Sequence, residues 1–331
     1  MRRARWKDAG VIVVGVDENG LGPLLGPLVT TAVGFSLARY VPAAQVAAGR
    51  ALGIDDSKAT AGFGQMAVAE GLALAVVARR TGALPGNIDA LFEGLLLERP
   101  KALQGACPDG AHAQCWAAPL SLPCFGGDVG AGHAMLDGLA ARGIELVHAR
   151  SAVACAGSLN QRLRVGQSRV EVDLELMELL VLDARATLAA ELRAICGMVG
   201  GIRNYTAKLR HFPAGGVTPV RAKGGTLAYD VAGVGHVRFE IDADARHLPV
   251  ALASMVGKYV RELWMARQNA FYRGHDPTLD EVSGYHDPIT RRFVAASAGL
   301  RARLGVVDAC FVRKNARSVV DDMQLSLPQL D

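Results

Sequence analysis

Two acidic residues stand next to each other where the first apolar segment of the chain ends. The segment Val11–Val16 is short, apolar and rich in β-branched residues, which predicts a buried strand. Asp17 and Glu18 follow it directly and lead into a turn rich in glycine and proline. Such a strand would place hard oxygen ligands at a sheet edge, and magnesium prefers these ligands. The same letters are also ordinary turn chemistry, so the pair taken alone favours a simple turn.

A second acidic group lies far along the chain, at Glu240, Asp242 and Asp244. If this segment is extended, alternate residues share a face, so the three carboxylates are predicted to point the same way. Carboxylates that share a face repel one another unless a cation or water separates them. A cation site and a solvated strand edge are therefore the two alternatives. The apolar helix predicted over Pro249–Met265 favours the cation site, because it would bury the neighbourhood.

That predicted helix carries three polar residues at a spacing of four. Ser254, Lys258 and Glu262 form a polar stripe on an otherwise apolar surface. Lys258 has two alternative partners. It can pair with Glu262 one turn later, or it can reach a phosphate or the acidic group before the helix.

The remaining elements follow from apolar periodicity and from glycine and proline turns. A second strand is predicted over Leu28–Phe35, so the chain opens with a hairpin. Helices are predicted over 65–80, 88–98, Val172–Glu191 and Pro249–Asn269. Strands are predicted over Leu192–Cys196, Val217–Ala222, Thr226–Val231 and His236–Ile241. The stretch from 104 to 133 is rich in glycine, proline, cysteine and histidine and is predicted to be irregular.

Composition narrows the class of protein. The chain has 331 residues, of which 50% are hydrophobic and 21% charged, which argues for a packed core and against disorder. The formal net charge of +4 is compatible with a polyanionic partner. No apolar run approaches the ~20 residues of a membrane span, so no membrane partner is expected. The six cysteines include no C-x-x-C pair, and we interpret them as reduced thiols of a cytoplasmic protein.

Four short motifs resemble, in the correct order, those of the type 2 ribonucleases H, or ribonuclease HII. Residues 15–29 read G-V-D-E-N-G-L-G-P-L-L-G-P-L-V and are similar to the family's G-[IV]-D-E-A-G-R-G-P-x-x-G-P-[VL]-V. The D-S-K at 56–58 and the G-Y at 284–285 look like two shorter family motifs. Residues 248–262 resemble the family's A-A-S-I-x-A-K-V-x-R-D helix. The motifs at 15–29 and 248–262 are the specific ones.

The resemblance implies a fold and a division of the chain. It implies an α/β fold, a ribonuclease-H-like mixed β-sheet flanked by helices, with an insertion and a helical C-terminal region. The N-terminal part of that domain would cover 8–100 and its C-terminal part 166–295. Residues 101–165 have no counterpart in the family and are expected to be an insertion or irregular excursion. Residues 296–331 would form a C-terminal extension.

The resemblance also implies a reaction. Members of the family are hydrolases that cut ribonucleotide phosphodiesters in RNA–DNA hybrids or in duplex DNA containing ribonucleotides. Acidic residues there hold two divalent cations, Mg²⁺ or Mn²⁺. Carried over, the catalytic and metal-binding residues are Asp17, Glu18 and Asp244; the last lies ten residues before Ser254, as the family's last acid lies before its serine. The protein is expected to act as a monomer.

Substrate contacts can be carried over in the same way. The family's Gly-Arg-Gly turn lies over the ribonucleotide, and here that turn reads Gly20, Leu21 and Gly22. Lys58 and Lys258 are expected to contact the nucleic-acid backbone. Tyr285 is expected to stack on a sugar or base, with a place in the core as the alternative.

Two departures from the family leave the activity open. The family has an aspartate where this chain has Gly197, and an arginine or lysine where it has Leu21. Asp242 is a possible substitute for the missing acid. The expected function is a nuclease weakened by Gly197, and the alternative is a catalytically inactive ribonuclease-H-like protein that binds nucleic acid or serves as a scaffold.

Overall fold

The computed structural model describes residues 10–55, 65–107, 113–222 and 224–315. One seven-stranded sheet, in the order β3-β2-β1-β4-β7-β6-β5, forms its centre. The strands are β1 (Val11–Asn19), β2 (Leu28–Leu37), β3 (Glu145–Ala154), β4 (Leu192–Gly197), β5 (Val217–Val220), β6 (Leu227–Val231) and β7 (Gly235–Glu240). The sheet is mixed, because β4 runs parallel to β1 and β7 while the other pairs are antiparallel.

Helices pack on both faces of this sheet, and further helices form the C-terminal region. They are α1 (Pro42–Arg50), α2 (Ala67–Thr81), α3 (Ile88–Leu95), α4 (Pro100–Gly105), α5 (Ala113–Trp116), α6 (Val129–Ala140), α7 (Ala156–Arg164), α8 (Arg169–Leu188), α9 (Ala243–Arg246), α10 (Leu248–His275), α11 (Pro288–Ala296), α12 (Ala298–Arg303) and α13 (Asp308–Phe311). The predicted fold class, a mixed sheet flanked by helices with a helical C-terminal region, is confirmed.

The alternation of β1 divides the core into two layers. Val13 packs with α2, α3 and α10 on one face of the sheet. Val14 and Val16 pack with α8 on the other face. Because both faces are covered, the first strand reads as a continuous apolar run rather than an alternating one. Asp17 and Glu18 extend this strand, so their side chains also leave it on opposite faces.

Gly15 allows β1 and α10 to touch. A Cβ atom at this position would lie 2.2 Å from the backbone of Pro249 and Val250, which no side chain can tolerate. The backbone of the acidic strand is therefore flush against the start of the long helix. The two specific motifs of the sequence meet at this contact.

Most elements agree with the sequence predictions, with one strand missed. The hairpin, the meander and the helices predicted over 65–80, 88–98, Val172–Glu191 and Pro249–Asn269 are confirmed within a few residues. The missed strand is β3, which lies within 101–165 and pairs antiparallel with β2. It is an edge strand that contains His148 and Arg150, and these polar residues interrupt the apolar pattern that reveals buried strands.

The prediction of one extended acidic segment was wrong. β7 ends at Glu240, Asp242 takes a left-handed backbone with φ of 51°, and Asp244 lies in the single-turn helix α9. An aspartate tolerates the left-handed conformation better than most residues, which lets the chain turn here. The three acids therefore do not share a strand face.

Two further observations concern the class of protein. All six cysteines are free thiols in this structure. Within the described ranges, no helix is both long and apolar enough to cross a bilayer.

Candidate active site

A polar pocket of about 310 Å³ lies where β1, β4 and β7 end and α10 begins. It brings together residues that are more than two hundred positions apart in the chain. The acids that line it are Asp17, Glu18, Glu240, Asp242 and Asp244. Gly20, Gly197, Ser254, Lys258 and Tyr285 also line it.

The Asp17 carboxyl lies at the crowded centre of this group. Burial and the negative charge of Glu18 raise the pKa of Asp17 well above its ordinary value, and Asp244 adds to the rise. A hydrogen bond with the Ser254 side chain opposes the shift. Ser254 lies in the second turn of α10, one turn after the Gly15 contact, so the helix orients this acid. The repulsion among these acids is what a bound cation would relieve.

Glu240 lines the pocket, but its carboxylate is already paired with basic side chains. Its carboxylate lies 2.9 Å from Arg238, 3.3 Å from Arg246 and 3.1 Å from Nε2 of His247. His247 in turn shares a 2.7 Å hydrogen bond with the Tyr40 hydroxyl. This network fixes the turn between β7 and α10, so Glu240 serves structure.

Gly197 faces the two acids of β1 at close range. A Cβ atom built at Gly197 would lie 2.8 Å from Oδ1 of Asp17 and 3.5 Å from Oε2 of Glu18. The register agrees, because Cys196 pairs with Val16, one residue before the acids. Gly197, at which the resemblance predicts an acid, is therefore part of this pocket and has no side chain to offer a ligand.

Asp173 is an acid near the pocket that sequence reasoning missed. It lies on α8 and is fully buried. Burial and the charge of Glu18 raise its pKa well above the ordinary value. In the sequence, acids alternate with apolar residues along this helix segment, a pattern that does not distinguish a buried acid from a solvated one.

Two arginine side chains, those of Arg261 and Arg313, contact the Gly20–Gly22 turn on the side that faces the protein interior. Gly20 has a φ of 89°, and a Cβ there would lie 2.8 Å from Arg261. The carbonyl oxygens of Gly20 and Leu21 accept hydrogen bonds of 2.6 and 2.8 Å from Arg313. Burial lowers the pKa of Arg313 to about 9, and the nearby Arg169 contributes to the shift. Sequence reasoning missed Arg313, since no motif marks it.

Leu21 and Gly22 stand differently from Gly20. The Leu21 side chain packs against the apolar layer that contains α8. It therefore does not occupy the place over the pocket where the resemblance predicts an arginine or lysine side chain. Gly22 is exposed, and its carbonyl oxygen lies 3.2 Å from Nε2 of His286. Of these three turn residues, only Gly20 lines the pocket.

Lys258 and Tyr285 lie where the resemblance predicts a substrate. Lys258 is half-buried on the wall of the pocket, and Tyr285 is 47% exposed at its rim. The Tyr285 ring lies 4.6 Å from the Arg261 guanidinium, a cation–π distance, so Arg261 supports the ring at the pocket rim. Tyr285 is therefore not a core residue. The neighbouring Gly284 binds the first motif through its carbonyl oxygen, which accepts hydrogen bonds of 2.9 Å from Leu24 and Leu25. Lys58 lies outside the described residues.

The pocket matches a divalent cation in chemistry. Its acids offer hard oxygen atoms, which suit Mg²⁺ or Mn²⁺. Among the described residues, no three acidic, imidazole or thiol side chains are arranged closely enough to hold an ion as they stand. One oxygen of the buried Asp173, Oδ2, accepts no hydrogen bond and so has coordination capacity left. Asp17, Glu18 and Asp244 line the pocket together and are the residues that would hold a cation.

Comparison with known proteins gives structural likenesses only. No protein-family model matches the chain, and no curated protein matches its sequence. The chain is similar to ribonuclease HII of Archaeoglobus fulgidus in its complex with PCNA, with 17% identity and a TM-score of 0.45, over 91% of this chain and 93% of that one. It is similar to Bst-RNase HIII in complex with Mn²⁺, with 15% identity and a TM-score of 0.47, over 95% and 71% of the two chains. Ribonuclease H2 of Pyrococcus horikoshii gives 14% identity and a TM-score of 0.45, over 95% and 99%. At these levels the likenesses assign no activity, so the chemistry rests on the pocket's own side chains.

Proposed function

We propose that this protein is a metal-dependent endonuclease of the ribonuclease HII type, which hydrolyses ribonucleotide phosphodiesters in RNA–DNA hybrids or in duplex DNA that contains ribonucleotides. The observation that carries the proposal is the meeting of Asp17, Glu18 and Asp244 in one pocket beside Lys258. Burial, with the charges of Glu18 and Asp244, raises the pKa of Asp17, and groups with perturbed pKa values in a pocket are typical of functional sites.

In this proposal the protein's own residues bind the cations and orient the substrate. Asp17, Glu18 and Asp244 bind Mg²⁺ or Mn²⁺, and Ser254 keeps Asp17 directed into the pocket. Two cations held there would supply the chemistry that activates a water molecule and stabilises the leaving oxygen. Lys258, the cationic side chain that lines the pocket with the acids, faces the phosphate.

The turn and the tyrosine would select the sugar. Gly20 keeps its left-handed backbone and close packing against Arg261, which fixes the shape of the turn. In this proposal the backbone of that turn contacts the ribose 2′-hydroxyl, which distinguishes RNA from DNA. Tyr285, half-exposed at the rim and supported by Arg261, offers a flat face to a sugar or base. Gly22 and Lys58 remain proposed contacts, and Leu21 would contribute through its backbone alone.

We propose further that the activity is weak. Gly197 lies next to Asp17 and Glu18 but has no side chain, so strand β4 offers no carboxylate to a cation bound there. Metal affinity and the rate of hydrolysis should both be lower than a complete site would give.

The test is cleavage of a DNA duplex that contains a single ribonucleotide, in Mg²⁺ and in Mn²⁺. We expect slow cutting at the ribonucleotide, none in the matched all-DNA duplex, and loss of cutting in Asp17→Asn. That variant keeps the size of the side chain and removes its charge. If the wild-type protein at high concentration in Mn²⁺ cuts no faster than Asp17→Asn, the nuclease assignment is wrong.

A second function has its own support. Gly197 and Leu21 depart from the family at the positions that serve catalysis and substrate. A protein that binds RNA–DNA hybrids without cutting them, or acts as a scaffold on them, would tolerate both residues. Binding of the hybrid with no cleavage above the Asp17→Asn level would favour this candidate.

A further inference from the structure

We infer that Asp173 supplies a carboxylate to the cation site from helix α8, in place of the acid that the chain lacks at Gly197. The inference rests on the proposed function, because it takes the acidic pocket to be a cation site. It adds a ligand from an element that none of the sequence motifs covers.

The position of Asp173 follows from the sheet. Oδ1 of Asp173 accepts a 2.8 Å hydrogen bond from the Thr30 hydroxyl. Thr30 on β2 is the cross-strand partner of Glu18 on β1. Side chains of such partners leave the same face about 5 Å apart. Asp173 is therefore one side chain away from Glu18, on the face of the sheet that α8 covers.

The second oxygen of Asp173 has no partner. Oδ2 is buried and accepts no hydrogen bond, and no ion pair reaches Asp173 among the described residues. Glu178 on the same helix shows what a structural acid looks like, since it accepts hydrogen bonds from the backbone of Arg210, His211 and Phe212. A buried carboxylate left without such partners is costly, and a cation is the partner that would remove the cost.

The surroundings of Asp173 point to the same two acids that Gly197 faces. The charge of Glu18 is the largest one acting on Asp173, and Asp173 acts in turn on Asp17. Burial and the negative charges of Asp173 and Asp17 raise the pKa of the Cys196 thiol, so this thiol lies near both acids. Asp173 approaches Asp17 and Glu18 from the α8 side, whereas an acid at 197 would approach them from β4. The space in front of Gly197 is already occupied by the carboxylates of β1.

The experiment measures Mn²⁺ binding to the full chain by the loss of the free-ion electron paramagnetic resonance signal. The variant is Asp173→Asn, which keeps the acceptor for Thr30 and removes the charge. Asp183→Asn is the matched control, because it makes the same change on the same helix beside His148 and Arg150, away from the pocket. Thermal unfolding without metal is recorded for each protein.

We expect Asp173→Asn to weaken Mn²⁺ binding about tenfold or more, while Asp183→Asn leaves it unchanged. Without metal, Asp173→Asn should unfold at the same or a higher temperature than the wild type, because a neutral amide replaces a buried carboxyl that lies next to Glu18. If Asp173→Asn does not fold, Asp173→Ser is measured instead, since its hydroxyl can still pair with Thr30.

The outcomes separate this inference from the proposed function. Wild-type binding of Mn²⁺ that Asp173→Asn leaves intact overturns the role of Asp173, whatever the cleavage assay gives. Binding that depends on Asp173 without any cleavage supports the inference and contradicts the nuclease. A wild-type chain that binds no Mn²⁺ overturns both.

Discussion

At Gly197 the backbone of β4 comes up against the carboxylates of β1. The 2.8 Å between a Cβ built there and Oδ1 of Asp17 means that any side chain must displace Asp17 slightly. The nearest atom belongs to the Asp17 side chain rather than to backbone, so a rotation of that side chain could make room. The position can therefore be used to ask whether the pocket is only incomplete.

Restoring the acid should favour the ion-bound state. Gly197→Asp adds a carboxylate to acids that already repel one another, so we expect lower thermal stability without metal and about tenfold tighter Mn²⁺ binding with it. Cleavage should rise in parallel. Gly197→Asn is the control, because it fills the same volume without charge.

Equal behaviour of Gly197→Asp and Gly197→Asn, in both metal binding and cleavage, would contradict this expectation. It would mean that the missing acid has been assigned to the wrong place, or that the space beside Asp17 has closed.

Sequence reasoning reaches some of these residues and not others, for physical reasons. Asp17, Glu18 and Asp244 stand in or beside recognisable motifs, so their meeting could be predicted. Asp242 could not be placed, because a left-handed backbone at one residue leaves no periodic signal. Asp173 could not be found, because its burial depends on which side of α8 packs against β2.

At the scale of elements, α2 organises the stretch that the sequence marks as irregular. Glu70 of this helix is fully buried and accepts hydrogen bonds of 2.6, 2.7 and 2.8 Å from the backbone of Cys124, Phe125 and Gly127. The Tyr259 hydroxyl of α10 donates a fourth, of 3.0 Å. One carboxylate therefore fastens the loop before α6 to both α2 and α10.

Removing this carboxylate should destabilise the protein strongly. We expect Glu70→Ala to lower the free energy of unfolding by about 3–5 kcal/mol, because buried N–H donors lose their acceptor. Glu70→Gln, which keeps one acceptor oxygen, should cost less. Urea denaturation measures both, with the exposed Glu93→Ala on α3 as the control.

A loss for Glu70→Ala no larger than that for Glu93→Ala would show that the loop is held by other contacts. The loop's attachment could not be predicted, because nothing in the sequence pairs Glu70 with residues 124–127. The same limit applies to β3, whose membership in the sheet depends on pairing with β2 rather than on its own pattern.

At the scale of the whole molecule, the proposed partner is a polyanion and the net charge is +4. Contacts to its phosphates release counterions, so we expect the affinity for an RNA–DNA hybrid to fall steeply with salt, with a log–log slope of about −0.9 per phosphate contacted. Fluorescence anisotropy with Asp17→Asn in Mg²⁺ measures this without cutting the hybrid.

The comparison ligand is an all-DNA duplex of the same sequence under the same salts. It should show a similar slope at lower affinity, since the phosphates are shared and the 2′-hydroxyls are not. An affinity that does not change with salt, or the absence of binding to either duplex, would count against both the nuclease and the scaffold.

The grip of Arg313 on the turn after β1 has a consequence for the newborn protein. The arginine lies 293 positions after Gly20, whose carbonyl oxygen accepts its hydrogen bond, so the acidic strand leaves the ribosome long before Arg313 does. Until Arg313 is present, the growing polypeptide contains Asp17 and Glu18 without the hydrogen bonds that fix the turn after them. We expect a nascent chain to acquire its affinity for nucleic acid only after Arg313 has been synthesised and has bound the turn.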